Sequence, residues 1–262
     1  MYGLSLMRSF VEEFGGVTLF AQQCLSSLVR KGVRGLTLIE QIYLVGVRSL
    51  PTTLVTGGFV GAILAIQINL QLRDFGAQGF LGGLSTSTTV RDLGPVLIAF
   101  ILSGKVGAFT SAEIATMRVT EQIDAIRCLG ADPIEYLIVP RMVAVVISSF
   151  LLLIVGLMMT VAGGMMIASF HLGVNAQNYI SNIASLVTGW SIGLGVVKSF
   201  VFGVLIAVIC CFEGNRATGG AEGVGRAVRG AAVKTLLAII IANFFISSSG
   251  NLLREMLGLN SL

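Results

Sequence analysis

Charge is what this chain has least of. No Lys, Arg, Asp or Glu occurs between Arg141 and Lys198, and two further gaps run from Arg48 to Arg73 and from Lys234 to Arg254. Charged residues make up 11% of the chain, against about 25% in a typical soluble domain. Such stretches exclude a water-soluble globular protein. About 20 apolar residues cross a bilayer's hydrocarbon core as a helix, so each gap marks a segment built into a membrane. Cysteine is also scarce. Cys24, Cys128, Cys210 and Cys211 are expected in or beside the cytoplasm, which excludes a disulfide framework and leaves them as small apolar fillers. A dense basic cluster is missing despite the net charge of +4, which argues against nucleic acid. Glu12 and Glu13 interrupt any apolar run at the start, so a cleavable signal peptide is not expected. No phosphate-binding Gly-Lys-Ser/Thr, metal-ligand cluster or nucleophile triad is present. The chain is therefore expected to carry no catalytic site, metal or cofactor of its own, with ATP bound by a partner subunit.

What remains is oil and glycine. The chain is 55% hydrophobic with a mean hydropathy of +0.91. Its 33 glycines suit close approach of membrane helices. Five spans are predicted: Pro51–Leu72, Leu93–Met117 (which carries Lys105 and Glu113), Met142–Phe170, Ile192–Phe212 (which carries Lys198) and Thr235–Leu253. The segment His171–Ser191 between spans three and four is polar but holds no Lys or Arg. Twelve basic residues fall on one side: Arg8, Arg30, Lys31, Arg34, Arg48, Arg118, Arg127, Arg141, Arg216, Arg226, Arg229 and Lys234. Only Arg73, Arg91 and Arg254 fall on the other. The positive-inside rule then puts the N-terminus in the cytoplasm and the C-terminus outside.

Residues 8–30 read as an amphipathic helix. Phe10, Phe14, Val17, Ala21, Cys24 and Leu28 share one face, opposite Glu12, Glu13, Gln22 and Gln23. It is too polar to span and suited to the membrane interface; packing on a partner's cytoplasmic surface is the alternative. Two domains follow: residues 1–50 as interfacial and elbow helices, and residues 51–262 as a five-span domain with a short helix at 119–130.

That short helix has clear local grammar. Thr120 is expected to cap it, with Glu121 in its first turn and Gly130 at its end. Asp132-Pro133-Ile134-Glu135 has the form of a capping box that starts the next helix. Thr120, Glu121, Gln122, Asp124 and Arg127 form a candidate docking element; a plain turn between spans is the other reading. Gly57 and Gly61 make a small-xxx-small packing face, while Gly163-Gly164 allows either flexing or close packing. The Gly219–Gly225 run follows a membrane span, not a strand, so it is no dinucleotide fingerprint. Trp190 reads as an interfacial anchor.

Several runs together are specific. They are Leu93-Gly94-Pro95, Ser103-Gly104-Lys105-Val106-Gly107, Ala112-Glu113-Ile114, Met117 through Ala125, Asp132-Pro133 and Gly219 through Ala227. With these, roughly residues 10–255 resemble the MlaE/YrbE family of ABC-transporter permeases. The resemblance implies a multi-pass permease of the bacterial inner membrane that works as a homodimer. It implies a cytoplasmic ATPase bound through Val119–Gly130, a ring of MCE-domain subunits on the outer face and, in many systems, a STAS-domain protein. It further implies that glycerophospholipid moves between inner and outer membranes through the dimer's central cavity. The family's Arg-Glu pair is Arg91-Asp92 here, its span-four lysine aligns with Lys198, and an acidic residue two turns earlier is Ser191. The family's Gly-Arg-x-Gly is Gly104-Lys105-Val106-Gly107, which lacks the bidentate fork of Arg.

The charges have a physical reading beside the resemblance. A lysine within a span should face the interior, a water-filled cavity or an anion such as a lipid phosphate, unless it snorkels to the headgroups. Arg91, Asp92 and Lys198 are the candidate lipid-headgroup site; for Arg91 and Asp92, at the outer end of span two, pairing across a dimer or simply ending the span at the interface are the other readings. Lys105 and Glu113, eight residues apart, are expected to hold helices together. Two other classes stay open from the residues alone: an ion-coupled secondary transporter, which would need acids within the spans and paired repeats, and a membrane scaffold that transports nothing.

Overall fold

In lipid a lone segment can satisfy its own backbone N–H and C=O groups only as a helix. The computed structural model of this chain describes residues 2–32 and 35–256, and no strand occurs among them. Arg34 lies outside the described residues, as do the side chains of Arg8, Phe10, Phe14 and Lys31. Eleven α-helices follow in order among the described residues. They are α1 (Tyr2–Lys31), α2 (Gly35–Val45), α3 (Leu50–Asp74), α4 (Leu81–Thr88), α5 (Gly94–Leu102), α6 (Ala108–Val119), α7 (Gln122–Cys128), α8 (Val139–Phe170), α9 (Ala176–Leu186), α10 (Gly189–Asn215) and α11 (Gly220–Met256).

Among the described residues, five helical stretches are long and apolar enough to cross a membrane: Leu38–Asp74, Gln78–Val119, Ile134–Phe170, Gly189–Asn215 and Gly220–Met256. The chain is an all-α integral membrane protein. Each stretch contains one expected span and extends beyond it, because the loss of apolar character does not end a helix. The 37 residues of α11 make a rod of roughly 55 Å at 1.5 Å per residue, longer than the ~30 Å hydrocarbon core. Its charged first turns, with Glu222, Arg226 and Arg229, therefore belong to the same helix as its apolar remainder. The second stretch is not regular. π-helical turns interrupt it at Thr89–Leu93 and Ser103–Gly107, and a third opens the next stretch at Ile134–Ile138.

The chain divides into two compact units. The first comprises Met1–Val45, Ser103–Ile147 and Val204–Thr235. Here α1 lays Phe20 edge-on against Phe212, with ring centroids 5.7 Å apart, and buries Cys24. Ala115, Ala217 and Ala227 pack with Val119 and Val224. Leu19, Leu25 and Val29 of α1 remain exposed, so the helix carries apolar surface on two sides.

The second unit comprises Gly46–Leu102, Ser148–Gly203 and Leu236–Leu262. In it α3 and α8 cross at close range. A Cβ on Gly61 would stand 1.7 Å from the Thr160 carbonyl oxygen, and one on Gly163 would stand 2.1 Å from that of Gly58. Gly57, Gly61 and Gly163 thus serve close packing. The polar segment after span three folds as α9, capped by the Asn175 side chain, which accepts from the Gln177 N–H at 3.0 Å. Tyr179 is buried with Leu81 and Ala168, and its hydroxyl pairs with Ser85 at 2.9 Å.

Candidate functional site

The charges of span two are placed by a break in its helix. Proline has no N–H, so Pro95 cannot serve the carbonyl four residues earlier, that of Arg91. The backbone widens into a π-turn over Thr89–Leu93, a form frequent at functional sites. Lys198 of α10 supplies a side-chain donor in place of that N–H: its Nζ donates to the Arg91 carbonyl oxygen at 2.7 Å. The same Nζ donates to Asp92 Oδ1 at 2.9 Å and to Ser247 Oγ at 2.7 Å. The Lys198 side chain is 0% exposed, while those of Arg91 and Asp92 are 24% and 44% exposed. Lysine does not snorkel here. Because α10 begins at Gly189, Lys198 lies nine residues into it, roughly 13 Å along the axis and deeper than an Ile192 start predicts.

Arg91, Asp92 and Lys198 are therefore one cluster. Two residues that sequence reasoning missed complete it. Ser247 accepts from Lys198 and donates to Asp92 Oδ1 at 3.1 Å; Asn251 Oδ1 accepts from Arg91 Nη2. Their one sequence signal is a four-residue spacing, which puts both on one face of α11 within its uncharged stretch between Lys234 and Arg254.

The candidate docking element is α7. The Thr120 expectation needs correction: its hydroxyl donates back to the Thr116 carbonyl at 2.8 Å, so it continues α6 and caps nothing. Threonine in a last helical turn readily bonds the carbonyl four residues back. Glu121 stands before α7 with φ +61° and caps nothing either. Among the described residues it alone is non-glycine with positive φ. Gln122 opens α7. Ile123 is buried beneath it. Asp124 accepts from Arg118 Nη1 at 3.0 Å and lies 3.6 Å from Arg127 Nη1. Gly130 ends the segment at φ +79°. Asp132 Oδ1 accepts from the Ile134 N–H at 3.0 Å, the cap its sequence context predicts.

Comparison with known proteins bears on this architecture. Residues 38–249 match the model of the permease MlaE family. The chain belongs to that family. A probable ABC transporter permease protein of Synechocystis sp. is 41% identical over 209 residues, covering 80% of each chain. A probable ABC transporter permease protein of Rickettsia conorii is 36% identical over 238 residues, 91% of this chain and 92% of that one. The chloroplastic protein TRIGALACTOSYLDIACYLGLYCEROL 1 of Arabidopsis thaliana is 32% identical over 232 residues, 88% of this chain and 66% of that protein. This MlaE-family chain is a multi-pass permease subunit of an ABC transporter, a class that works with an ATPase partner.

Two further ion-pair groups of this MlaE permease join helices. Glu113 of α6 accepts from Arg141 Nη2 of α8 at 2.7 Å, and the Arg141 side chain is 7% exposed. Lys105 is half-buried in the Ser103–Gly107 π-turn, which shifts the helical register between it and Glu113. Lys234 joins three helices, bonding Glu13 of α1 and Glu213 of α10, the latter at 2.9 Å. A cleft of about 280 Å³ lies beside it, lined by Arg216, Thr218 and Arg226 among others. Glycines 219 and 220, at φ +90° and +68°, turn the chain into α11, and Arg226 braces the turn by donating to the Thr218 carbonyl at 3.1 Å. Burial of Cys24, with a smaller push from Asp132, raises its thiol to about 11. No group of three His, Cys, Asp or Glu residues fit for a metal occurs among the described residues.

Proposed function

We propose that this permease moves glycerophospholipid between the inner and outer membranes of a bacterial envelope. The observation that carries the reading is the Arg91–Asp92–Lys198 cluster. It sets two cations against one carboxylate within otherwise apolar spans. One surplus positive charge in such a place suits a phosphate-bearing amphiphile, whose headgroup needs a cation and whose tails need none. Lys198 serves from behind, since its three N–H groups all have acceptors within the chain. Arg91, with N–H groups to spare, faces the phosphate. The name of the Arabidopsis relative is that of a galactolipid, which supports a lipid substrate.

In this reading the N-terminus is cytoplasmic and the C-terminus lies outside, in the inner membrane. Residues 1–50 form the interfacial and elbow region and residues 51–262 the permease domain. Two copies enclose a cavity lined by spans one, two and four. The ATPase grips the 119–130 segment through Glu121, Gln122, Asp124 and Arg127, supplies all ATP hydrolysis, and pushes α7 when it closes. α8, α10 and α11 each contribute residues to both compact units, so a movement at α7's unit has a covalent route to the headgroup cluster. An MCE-domain ring sits on the outer face, and many systems of this kind add a STAS-domain protein on the cytoplasmic side.

The test is purification of the complex with its native lipids. Co-elution of an ATPase subunit and bound phospholipid, with less bound lipid in Arg91→Ala, supports the reading. A protein that purifies alone and conducts ions overturns it.

A further inference from the structure

We infer that Ser247 and Asn251 are positioning residues that aim Arg91 and Asp92 at the lipid headgroup. The inference rests on the headgroup reading above and adds span five to the site. A lysine ammonium has three donors, and at Lys198 they go to the Arg91 carbonyl, Asp92 Oδ1 and Ser247 Oγ. The Ser247 hydroxyl donates a hydrogen bond to that same Oδ1 at 3.1 Å. Asp92 Oδ1 thus receives two hydrogen bonds. Among the described residues, the one ion-pair contact of Oδ2 is with Arg91 Nε, at 3.9 Å. The carboxylate is pinned by one oxygen and presents the other.

Arg91 is held in the same way. Asn251 Oδ1 takes one N–H of Nη2. The remaining donors of the fork have no hydrogen bond among the described residues. A long, flexible cation is thereby fixed in one direction by a neutral acceptor, which leaves its charge unreduced. A carboxylate at position 251 would grip harder and cancel the surplus positive charge.

The placement follows from α11. Ser247 and Asn251 stand one turn apart on one face. Gly250 between them lets α11 approach α10 closely, since a Cβ there would meet Leu194 Cδ2 at 2.7 Å.

The experiment uses the assembled transporter in vesicles of phosphatidylethanolamine and phosphatidylglycerol carrying a photoactivatable analogue of one or the other. Lipid crosslinking and melting temperature are measured for native protein, S247A, S247T, N251A, N251D and R91A. S247A and N251A should lower crosslinking of both lipids about tenfold, the loss of roughly one charged hydrogen bond; N251A should melt close to native protein, and S247A lower, because one donor of the buried Lys198 loses its acceptor. S247T, which keeps the hydroxyl, should restore most of it. N251D should keep the phosphatidylethanolamine signal and lose the phosphatidylglycerol signal, a lipid-dependent split that a purely structural role would not produce. Native-level labelling in S247A and N251A, with R91A defective, would overturn the positioning role alone. Native-level labelling in R91A as well would overturn the headgroup reading itself.

Discussion

Pro95 and Lys198 meet at one atom, the carbonyl oxygen of Arg91. The proline withholds the helical N–H that this carbonyl expects, and the lysine ammonium replaces it at 2.7 Å. A helix defect, a buried cation and an adjacent carboxylate thus solve one another's problems. The defect frees an acceptor, the acceptor and Asp92 satisfy the cation, and the cation holds the π-turn that presents Arg91.

The first prediction follows from that closure. Lys198→Met takes from Asp92 its hydrogen-bonded cation, leaving Arg91 Nε 3.9 Å from Oδ2, and takes from the Arg91 carbonyl its side-chain donor. Breaking a buried pair costs about 3–5 kcal/mol, and the partial exposure of Asp92 puts the expected loss at the low end. Pro95→Ala restores a backbone donor to the same carbonyl, so it should recover about 1 kcal/mol of that loss. Thermal unfolding of the two single variants and the double variant in detergent measures the coupling. Strict additivity would mean that the two residues do not share the carbonyl.

A second prediction concerns Glu113 and Arg141. With Arg141 nearly fully buried, Glu113→Ala should destabilise by about 3 kcal/mol, and Glu113→Leu with Arg141→Met together by less than either single change. The same unfolding assay reads this out. A double variant worse than both singles would place the pair outside the helix-tying role.

A third prediction addresses α7. Charge reversal at Glu121 and Asp124 should abolish co-purification of the ATPase and leave membrane insertion intact. Glu121→Gly relieves a left-handed backbone at φ +61°, worth about 1 kcal/mol, and should keep the turn while losing only the carboxylate. Undiminished ATPase binding in the charge-reversed protein would remove α7 as the docking element.

Cysteine reactivity tests the seating of α1. The thiolate is the reacting species. A thiol raised to about 11 by burial stays protonated at neutral pH and titrates only as pH rises toward that value. Cys24 should resist iodoacetamide under conditions that alkylate the exposed Cys128, and mass spectrometry distinguishes the two sites. Equal rates would show α1 detached from Phe212.

A fifth prediction tests the α3–α8 crossing. Gly61→Ala drives a methyl group into the Thr160 backbone and should cost more than the roughly 1–3 kcal/mol typical of overpacking. Gly193→Ala, where a Cβ meets nothing within 4 Å, should be neutral or slightly stabilising through helix propensity. Expression and melting temperature compare them.

The spans were legible because uncharged length is a direct consequence of the hydrocarbon core. Their full extent was not, since helical hydrogen bonding in α11 continues through Glu222, Arg226 and Arg229 regardless of charge. The π-turns at Thr89–Leu93 and Ser103–Gly107 were invisible: five residues carry no period of their own, although Pro95 was a clue to the first. Lys198 announced itself as a lone cation in an apolar run, but its carboxylate partner sits 106 residues earlier in the chain and only tertiary packing joins them. Ser247 and Asn251 drew no notice because mildly polar residues on a lipid-rich helix have many uses, and a neutral hydrogen-bond partner leaves no charge pattern. Thr120 misled for a related reason, since its hydroxyl serves a helix start or a helix end equally well.

ATP-driven transfer of labelled phospholipid by the reconstituted permease–ATPase complex, native against Arg91→Ala, tests the central claim most directly. The account predicts ATP-dependent transfer by the native complex and at least a tenfold loss in the variant with its assembly unchanged. Transfer that proceeds equally with Arg91 removed, or no lipid transfer by an intact native complex supplied with ATP, would contradict it.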